Sequence, residues 1–464
     1  MLYKPSYGKF KDNYLIFHNG VYYLYSMFAK SGEEYRSVWL AKSDDGVHWH
    51  DVGEVIKDAG FYIWAMAIHK VGDMFIMNHG SFGSDNKQNT LKFWKSYNLE
   101  EWEYMGEEYD VTSDNPDDRL DCMNVFVHDG MYYGYAAGPG GFLKSSDGIN
   151  WQQSNADFDF SSFPVPVHDE KFGYFEVGDC RMIDGEVYYL GGMFNYIGRR
   201  GYGVYTFKSD SPEGTLRPDS EAFRLCGNTN RWISMWARFC DNGNDLLVTS
   251  YMQDGYSYEC GNTWMPPLKK AITENGHLRL SYWHGNDVLM GECMCKIEEI
   301  SLNATEYSST WYIPDDIAKS EKYDISGNVY IKGSFIANRN DRWTVVPSVG
   351  IILNETESIG TAIWLHGYGE SETGVISFED NSFVAEDRIC LGCASPAGII
   401  PGKEHEFILI VKDNMYEFYL DGYHITTSNT THFHDKEGIS PEEMCFAVKC
   451  GNLVLKNVEI WGLK

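Results

Sequence analysis

A recurring hairpin constrains this chain more than any other feature. In it an Asp-Gly or Asn-Gly pair turns one strand back into a run of alternating aromatics. It reads Phe17-His18-Asn19-Gly20-Val21-Tyr22-Tyr23-Leu24-Tyr25, then Val127-His128-Asp129-Gly130-Met131-Tyr132-Tyr133, then Ile183-Asp184-Gly185-Glu186-Val187-Tyr188-Tyr189. Weaker copies are Lys70-Val71-Gly72-Asp73-Met74-Phe75 and Asp241-Asn242-Gly243-Asn244-Asp245-Leu246. A companion element is a Ser-rich turn followed by Gly and Trp, as in Ser43-Asp44-Asp45-Gly46-Val47-His48-Trp49 and Ser145-Ser146-Asp147-Gly148-Ile149-Asn150-Trp151. A degenerate copy runs Ser96-Tyr97-Asn98-Leu99-Glu100-Glu101-Trp102. Units about 50 residues apart have the size of a four-stranded propeller blade. Helical periodicity is almost absent, so residues 1–295 are expected to form a five-bladed β-propeller.

The pattern changes near residue 296. Residues 296–330 read as a polar linker with one short helix near Pro314–Lys319. Residues 331–464 carry short alternating strands such as Gly350-Ile351-Ile352-Leu353, Phe407–Val411, Met415–Leu420 and a final Leu453–Trp461 stretch, the pattern of a β-sandwich. The fold class is therefore all-β, a propeller followed by a sandwich.

Charge narrows the partners. The formal net charge of −29 repels phosphate backbones and anionic membrane surfaces, which argues against nucleic acid and membrane partners and favours a neutral substrate. Tyr is unusually abundant at 32 copies, which suits strands and also suits stacking on sugar rings. No apolar secretory segment follows Met1, and no run of about eighteen apolar residues occurs, so a cytoplasmic protein is expected. The 11 cysteines lack the spacing of a zinc site and read as reduced thiols, and the sequons at Asn303, Asn354 and Asn429 carry no weight in that compartment. The Asp-rich stretch 110–121 lacks the ligand spacing of a calcium loop, so neither a metal nor another cofactor is expected. Oligomeric state is not readable.

Propeller enzymes collect catalytic groups where each blade's innermost strand, the one before the hairpin, enters the central channel. Asp12, Asp121 and Glu176 precede the turn glycines Gly20, Gly130 and Gly185 by similar intervals. Taken singly, Asp12 reads as a turn cap, and Asp121 and Glu176 as partners of Arg119 and Arg181. The shared register on separate blades lifts them above those readings. Glycosidic bond cleavage needs such convergent carboxyl groups. Trp64, Tyr62 and Trp236 are candidate stacking walls, Arg119 is a candidate contact to a sugar hydroxyl or to Asp121, and His79 in Asn78-His79-Gly80-Ser81 is a candidate pocket residue. Blade packing is the competing reading for the aromatics and for His79.

These segments resemble glycoside hydrolase families 32 and 43, five-bladed propellers with a common carboxylate plan. Lys11-Asp12-Asn13-Tyr14-Leu15-Ile16-Phe17-His18-Asn19-Gly20 is similar to the Asn-Asp-Pro-Asn-Gly region of fructofuranosidases. Arg119-Leu120-Asp121 resembles their Arg-Asp-Pro, and Glu176-Val177-Gly178-Asp179 their Glu-Cys-Pro-Asp. Phe61–Met66 resembles the Trp-Ala-Pro segment of family 43. The segment from Ile408 to Gly422 and the ending Leu453–Gly462 resemble the C-terminal sandwich of family 32. The motif prolines are missing, one extra residue separates Arg119 from Asp121, and Val177 stands in place of Cys. The resemblance implies a retaining β-fructofuranosidase-like hydrolase of neutral oligosaccharides. Asp12 would be the nucleophile, Glu176 the acid/base, and Asp121 would stabilise the transition state. A family 43-like inverting arabinofuranosidase or xylosidase and a non-catalytic carbohydrate-binding propeller stand as alternatives. Sialidases share the Ser-Asp-Gly-Trp turns, but they clamp an anionic sugar with three arginines, which this acidic, arginine-poor chain disfavours. Stretches 106–120 and 154–173 are the candidate loops over the pocket.

Overall fold

The computed structural model describes residues 2–30, 33–81, 90–113, 120–136, 141–159, 176–194, 201–228, 233–255, 262–304, 317–326, 328–339, 347–354, 359–367, 371–377, 383–389, 392–395, 398–431 and 440–464. Blade 1 is the meander β1 (Lys9–His18), β2 (Val21–Ala29), β3 (Ser37–Ser43) and β4 (His50–Ile56). Blade 2 holds β5 (Trp64–Val71), β6 (Met74–Ser81), β7 (Thr90–Ser96) and β8 (Glu103–Tyr104), with β9 (Val111–Thr112) also on β7. Blade 3 holds β10 (Met123–His128), β11 (Met131–Ala136), β12 (Phe142–Ser145) and β13 (Gln152–Gln153). After β14 (Asp157–Phe158), blade 4 holds β15 (Glu176–Ile183), β16 (Glu186–Phe194), β17 (Tyr202–Ser209), β18 (Thr215–Pro218) and β19 (Ala222–Asn228). Blade 5 holds β20 (Ser234–Asp241), β21 (Leu246–Gln253), β22 (Thr263–Trp264), β23 (Lys269–Glu274) and β24 (His277–Tyr282).

The turn chemistry explains why the blades repeat. Asn19-Gly20, Asp129-Gly130 and Asp184-Gly185 all hold positive φ at both residues, the backbone that two-residue hairpins need. At the outer turns Asp45 Oδ1 accepts from the N–H groups of Val47 and His48, and Asp147 Oδ1 from those of Ile149 and Asn150. The degenerate copy folds identically: Asn98 Oδ1 accepts from Glu100 and Glu101, and Leu99 takes the left-handed conformation (φ 64°) that Gly46 and Gly148 take elsewhere. Apolar side chains fill the spaces between blades, for example Tyr25, Ile68 and Phe75 between the first two, and Tyr135, Tyr189 and Phe207 between the third and fourth. Blade 5 closes on blade 1 through Leu15, Tyr22, Cys240 and Leu247, and the N-terminal Tyr3 pairs with Met265.

The sandwich is built from β25 (Met290–Asn303), β26 (Ile317–Lys319), β27 (Tyr323–Asp324), β28 (Val329–Arg339), β29 (Ser348–Asn354), β30 (Ile359–Leu365), β31 (Ser371–Ser377), β32 (Phe383–Ile389), β34 (Glu404–Lys412), β35 (Met415–Leu420), β36 (Tyr423–Asn429), β37 (Glu443–Lys449) and β38 (Gly451–Leu463), whereas the intervening β33 (Gly392–Cys393) pairs in parallel with β19 of blade 4. One sheet runs β36-β35-β34-β28-β38-β25 and the other β26-β37-β29-β30-β31-β32. Their facing apolar residues, among them Ile331, Phe335, Leu409, Phe418 and Phe446, form one core. The stretch expected as a linker contains the end of the 14-residue β25, and Ile317–Lys319 is a strand where a helix was expected. In β25 the inward Cys295, Ile297, Ile300 and Leu302 are separated by exposed charged or polar residues, so the half-buried strand reads as polar.

The two halves are joined as one sheet. β24 pairs with β36 at Ser281 and Tyr423, which extends blade 5 into the sandwich. Beside this seam Lys269 donates to Glu417 at 2.6 Å, and both side chains are buried. Asn429, one of the sequon residues, is fully buried and donates to the carbonyls of Gln253 and Gly255. Cys122, Cys180, Cys226, Cys240, Cys293, Cys295, Cys445 and Cys450 are free thiols.

Candidate active site

The innermost strands β1, β5, β10, β15 and β20 contact one another in a closed ring around the propeller axis. Four of them are interrupted at one place. Strand register slips between Lys11 and Tyr14, between Trp64 and Ala67, between Glu176 and Asp179, and between Met235 and Arg238. A slip of this kind is a β-bulge, which frees backbone groups and re-aims side chains. Asp12, Ala65 and Trp236 hold the left-handed conformation at these bulges, with φ of 50°, 40° and 48°. For Ala and Trp that backbone is strained, and strain of this kind collects at functional sites.

The bulges fix where the acids stand. Tyr14, Ala67, Asn124 and Asp179 occupy equivalent positions, each four residues before the hairpin pair that starts at His18, Val71, His128 or Ile183. Three residues further back lie Lys11, Trp64, Asp121 and Glu176. Asp121 and Glu176 therefore share one register, while Asp12 falls one residue later, on the bulge itself. In a plain strand that offset would turn a side chain to the opposite face. The bulge removes this restriction.

Asp12 and Asp121 are both buried, 4 % and 1 % exposed, deep in a propeller whose surface carries most of its acids. Both act on one neighbour. Burial pushes the Cys122 thiol up to about 11, and the Asp121 and Asp12 carboxylates add to that rise while the Arg238 guanidinium opposes it. Asp12 also raises the phenol pKa of Tyr35, after burial, which brings the loop before β3 to the nucleophile candidate. Glu176 opens β15 and pairs through its backbone with Gly192; its side chain lies outside the described residues. Arg119 lies outside them too, as do residues 114–119 and 160–173 of the two candidate pocket loops.

Asp121 is held from blade 2. Gly80 donates its N–H to the Asp121 carbonyl, and the position of a Cβ on Gly80 is taken by the carbonyls of Leu120 and Asp121. Asn78 grips the next turn of chain twice, donating to the Met123 carbonyl at 2.7 Å and accepting from the Met123 N–H at 2.6 Å. The segment Asn78-His79-Gly80 is thus the clamp of Asp121. His79 itself is buried. Its Nδ1 meets the Gly80 carbonyl, its Nε2 accepts from Trp94, its ring stacks on Phe61, and burial holds its pKa down to about 4. Trp236 is 4 % exposed and packs on Tyr251 and Tyr202. Trp64 is half-buried against the core between blades 1 and 2. Tyr62 stands at the rim, its hydroxyl on Glu34 and its ring beside Arg36.

Immediately below the acids lies a polar layer that the sequence did not signal. Asn13 donates to the Ser250 carbonyl, linking blade 1 to blade 5, and Tyr14 to the Ile68 carbonyl, linking blade 1 to blade 2. Asn124 donates to the Gly178 carbonyl, linking blade 3 to blade 4. Asp179 accepts from the Phe239 N–H, linking blade 4 to blade 5. Burial pushes the Asp179 carboxyl up to about 6, against the pull of Arg238. Arg238 is fully buried at the centre of this layer. These residues are ordinary polar letters in the sequence, and only their distance from the hairpin turns, counted blade by blade, would have found them. A separate cleft of about 860 Å³ at the seam, lined by Tyr282, Lys332, Glu404, Asp421 and Tyr423 among others, contains none of the candidate residues. Among the described residues no three His, Cys, Asp or Glu side chains come together as metal ligands, and no helix is long and apolar enough to cross a membrane.

No sequence-family profile matches the chain, and neither does any curated protein. Solved structures do match. Fructan 1-exohydrolase IIa from Cichorium intybus superposes with a TM-score of 0.68 at 12% identity, over 100% of this chain and 96% of that one. The β-fructofuranosidase of Schwanniomyces occidentalis gives 0.68 at 12% identity over 99% and 96%. The family 32 β-fructofuranosidase of Bombyx mori gives 0.67 at 11% identity over 99% and 92%. The fold is that of the glycoside hydrolase family 32 enzymes, propeller and sandwich together.

Proposed function

We propose that this chain is a glycoside hydrolase that releases a terminal furanoside-type sugar, of the β-fructofuranoside kind, from a neutral oligosaccharide. The observation that carries the reading is a match in fold along essentially the full length of fructoside hydrolases, combined with acids at the inner-strand ends of blades 1, 3 and 4. Neighbours of the same fold were solved with sucrose, 1-kestose and fructosylnystose, and the net charge of −29 suits an uncharged ligand of that type.

In this reading the Asp12 carboxylate attacks the anomeric carbon as the glycosidic C–O bond breaks, and the Glu176 carboxyl gives its proton to the leaving oxygen. Glu176 then takes a proton from water, which attacks the glycosyl–Asp12 ester and frees the sugar with retained configuration. Asp121 accepts hydrogen bonds from sugar hydroxyls and stabilises positive charge on the ring. Tyr62, Trp64, Trp236 and Arg119 are the proposed surroundings of the sugar.

Hydrolysis of β-fructosides, α-arabinofuranosides and β-xylosides tests the assignment, with product anomers read by NMR. Asp12→Asn and Glu176→Gln are each expected to lower kcat/KM on a β-fructoside by roughly 10²–10⁴-fold, the range for loss of an acid–base or nucleophilic group. Inverted product would transfer the protein to the family 43-like scheme. Sugar binding without turnover in the wild type would mark a carbohydrate-binding propeller.

A further inference from the structure

The three segments that carry the acids meet at one side chain. Arg238 leaves β20 at the bulge and crosses the channel with no exposure to solvent. Its Nη2 donates to Cys122 Sγ at 3.3 Å, one residue after Asp121. Its guanidinium lies 5.4 Å from the centre of the Tyr14 ring, two residues after Asp12. Its Nη1 donates at 3.0 Å to Asn124 Oδ1, and the same amide passes its own N–H at 2.5 Å to the Gly178 carbonyl, two residues after Glu176. Gly178 can serve here because a Cβ would collide with the Leu190 carbonyl oxygen.

We propose that Arg238 is the positioning residue of the site, a single guanidinium that sets the spacing of the Asp12, Asp121 and Glu176 segments by gripping the layer beneath them. A planar fork with fixed donor directions holds Cys122 and Asn124 of blade 3 together while its delocalised charge lies by the Tyr14 ring of blade 1, a combination an ammonium does not offer. Burying a charge at this depth is costly unless it is balanced. The groups that face it are Tyr14 from blade 1, Cys122 from blade 3, and Asp179 and Tyr189 from blade 4, with Asp12 and Asp121 one neighbour away against Cys122 and Arg181 against Asp179. The Asp179 carboxylate is the acid that faces the buried guanidinium and balances its charge, while Asp12 and Asp121 reach the same cluster through Cys122. Arg238 touches no substrate in this scheme and acts through the residues it holds.

The inference rests on the proposed hydrolase reading, and the experiment separates the two. Arg238→Met and Arg238→Lys are compared with wild type for kcat, KM and the pH profile of kcat/KM on a β-fructoside, with near-UV circular dichroism as the check on folding. In the Met variant kcat is expected to fall about 10²-fold with KM within a few fold, the size of effect that a misplacement of roughly 1 Å produces. The acidic limb of the profile moves to higher pH, because removing a positive charge disfavours ionised carboxylates. The Lys variant restores the limb and only part of kcat. An unchanged kcat and an unchanged limb in a folded Met variant would overturn the proposal. If the Met variant does not fold, the Lys variant decides alone: full kcat in it overturns the proposal. If the wild type hydrolyses no glycoside, the hydrolase reading fails, and Arg238 is then judged on carboxyl titrations of protein labelled with ¹³C at aspartate. Loss of the guanidinium should move the Asp179 titration up from about 6 by a unit or more, and an unmoved titration refutes the role.

Discussion

A single methyl group on Gly80 should uncouple Asp121 from the site. Gly80 lies outside the left-handed region, so the backbone accepts alanine and only side-chain space is at issue. A Cβ built there would lie 2.5 Å from the Asp121 carbonyl oxygen and closer still to that of Leu120, whereas real contacts of this kind stay above 3.0 Å. The segment must therefore retreat by at least the larger shortfall, that at Leu120, and by roughly 1 Å to restore an ordinary van der Waals contact. It also loses the hydrogen bond from the Gly80 N–H. A displacement of that size costs about 10² in rate when it moves a reacting group, or about 2.7 kcal/mol of transition-state stabilisation. Overpacking costs stability as well, about 1–3 kcal/mol. For a chain of 464 residues the unfolding entropy is about 1 kcal/mol per degree, so Tm falls by only about 1–3 °C if the molecule melts as one unit. The assay is kcat/KM on a β-fructoside beside a melting curve. Gly80→Ala should be folded at the assay temperature and about 100-fold slower. A variant of wild-type kcat/KM would show that the Asp121 segment is not held by this contact, or that Asp121 takes no part in the reaction.

The remaining predictions concern stability. Lys269→Met leaves Glu417 buried beside Tyr419 and Thr427 without its cation. Removing one partner of a buried ion pair costs about 3–5 kcal/mol, so the variant should lose an amount in that range in urea unfolding. A loss below about 1 kcal/mol would refute this account of the seam. His69 is fully buried, bonded to the Gly148 carbonyl, and held down to about 4. Its depressed pKa contributes stability that is whole above pH 6.5 and is lost as pH falls through 4, about 3 kcal/mol in all. His69→Gln should flatten the fall of Tm between pH 6.5 and 4 by about 3 °C, and an identical slope in the variant would rule out His69 as its source.

The fold was legible because hairpin turns write themselves in sequence. Asn19-Gly20, Asp129-Gly130 and Asp184-Gly185 take the one backbone that this pair favours, and their spacing sets the blades. The strand β25 was hidden because its inward positions alternate with charges and because its partner β38 lies at the other end of the chain. The acids were legible as a set but not in register. Counted to the turn glycine, Asp121 and Glu176 stand 9 residues back and Asp12 stands 8. That odd interval marks the bulge, and no Gly or Asn announces it, since Asp12, Ala65 and Trp236 occupy the left-handed positions. His79 drew notice as a lone histidine beside a strand end, yet its neighbours Asn78 and Gly80 make the contacts to the Asp121 segment.

The polar layer and the bulges have one cause. A bulge takes two residues out of the ladder, so backbone N–H and C=O groups near the axis lose their in-sheet partners, in a place where water cannot freely replace them. The neighbouring blade replaces them instead. The Asn124 amide meets the carbonyl of Gly178, a bulge residue of β15, and the Asp179 carboxylate meets the N–H of Phe239, just beyond the bulge of β20. On the edge of blade 3, where β10 begins after Asp121, Asn78 supplies both a donor and an acceptor to Met123. Each such contact ties one blade to the next, so the ring closes through side chains at the level where the sheets themselves stop. The irregularity that lets Asp12 leave strand register is therefore also what obliges the layer below to be polar, and a polar layer is where a buried guanidinium can be satisfied. Replacing that layer by apolar residues would leave the backbone groups orphaned and the acids without a floor, which is why the site and the closure of the propeller should fail together.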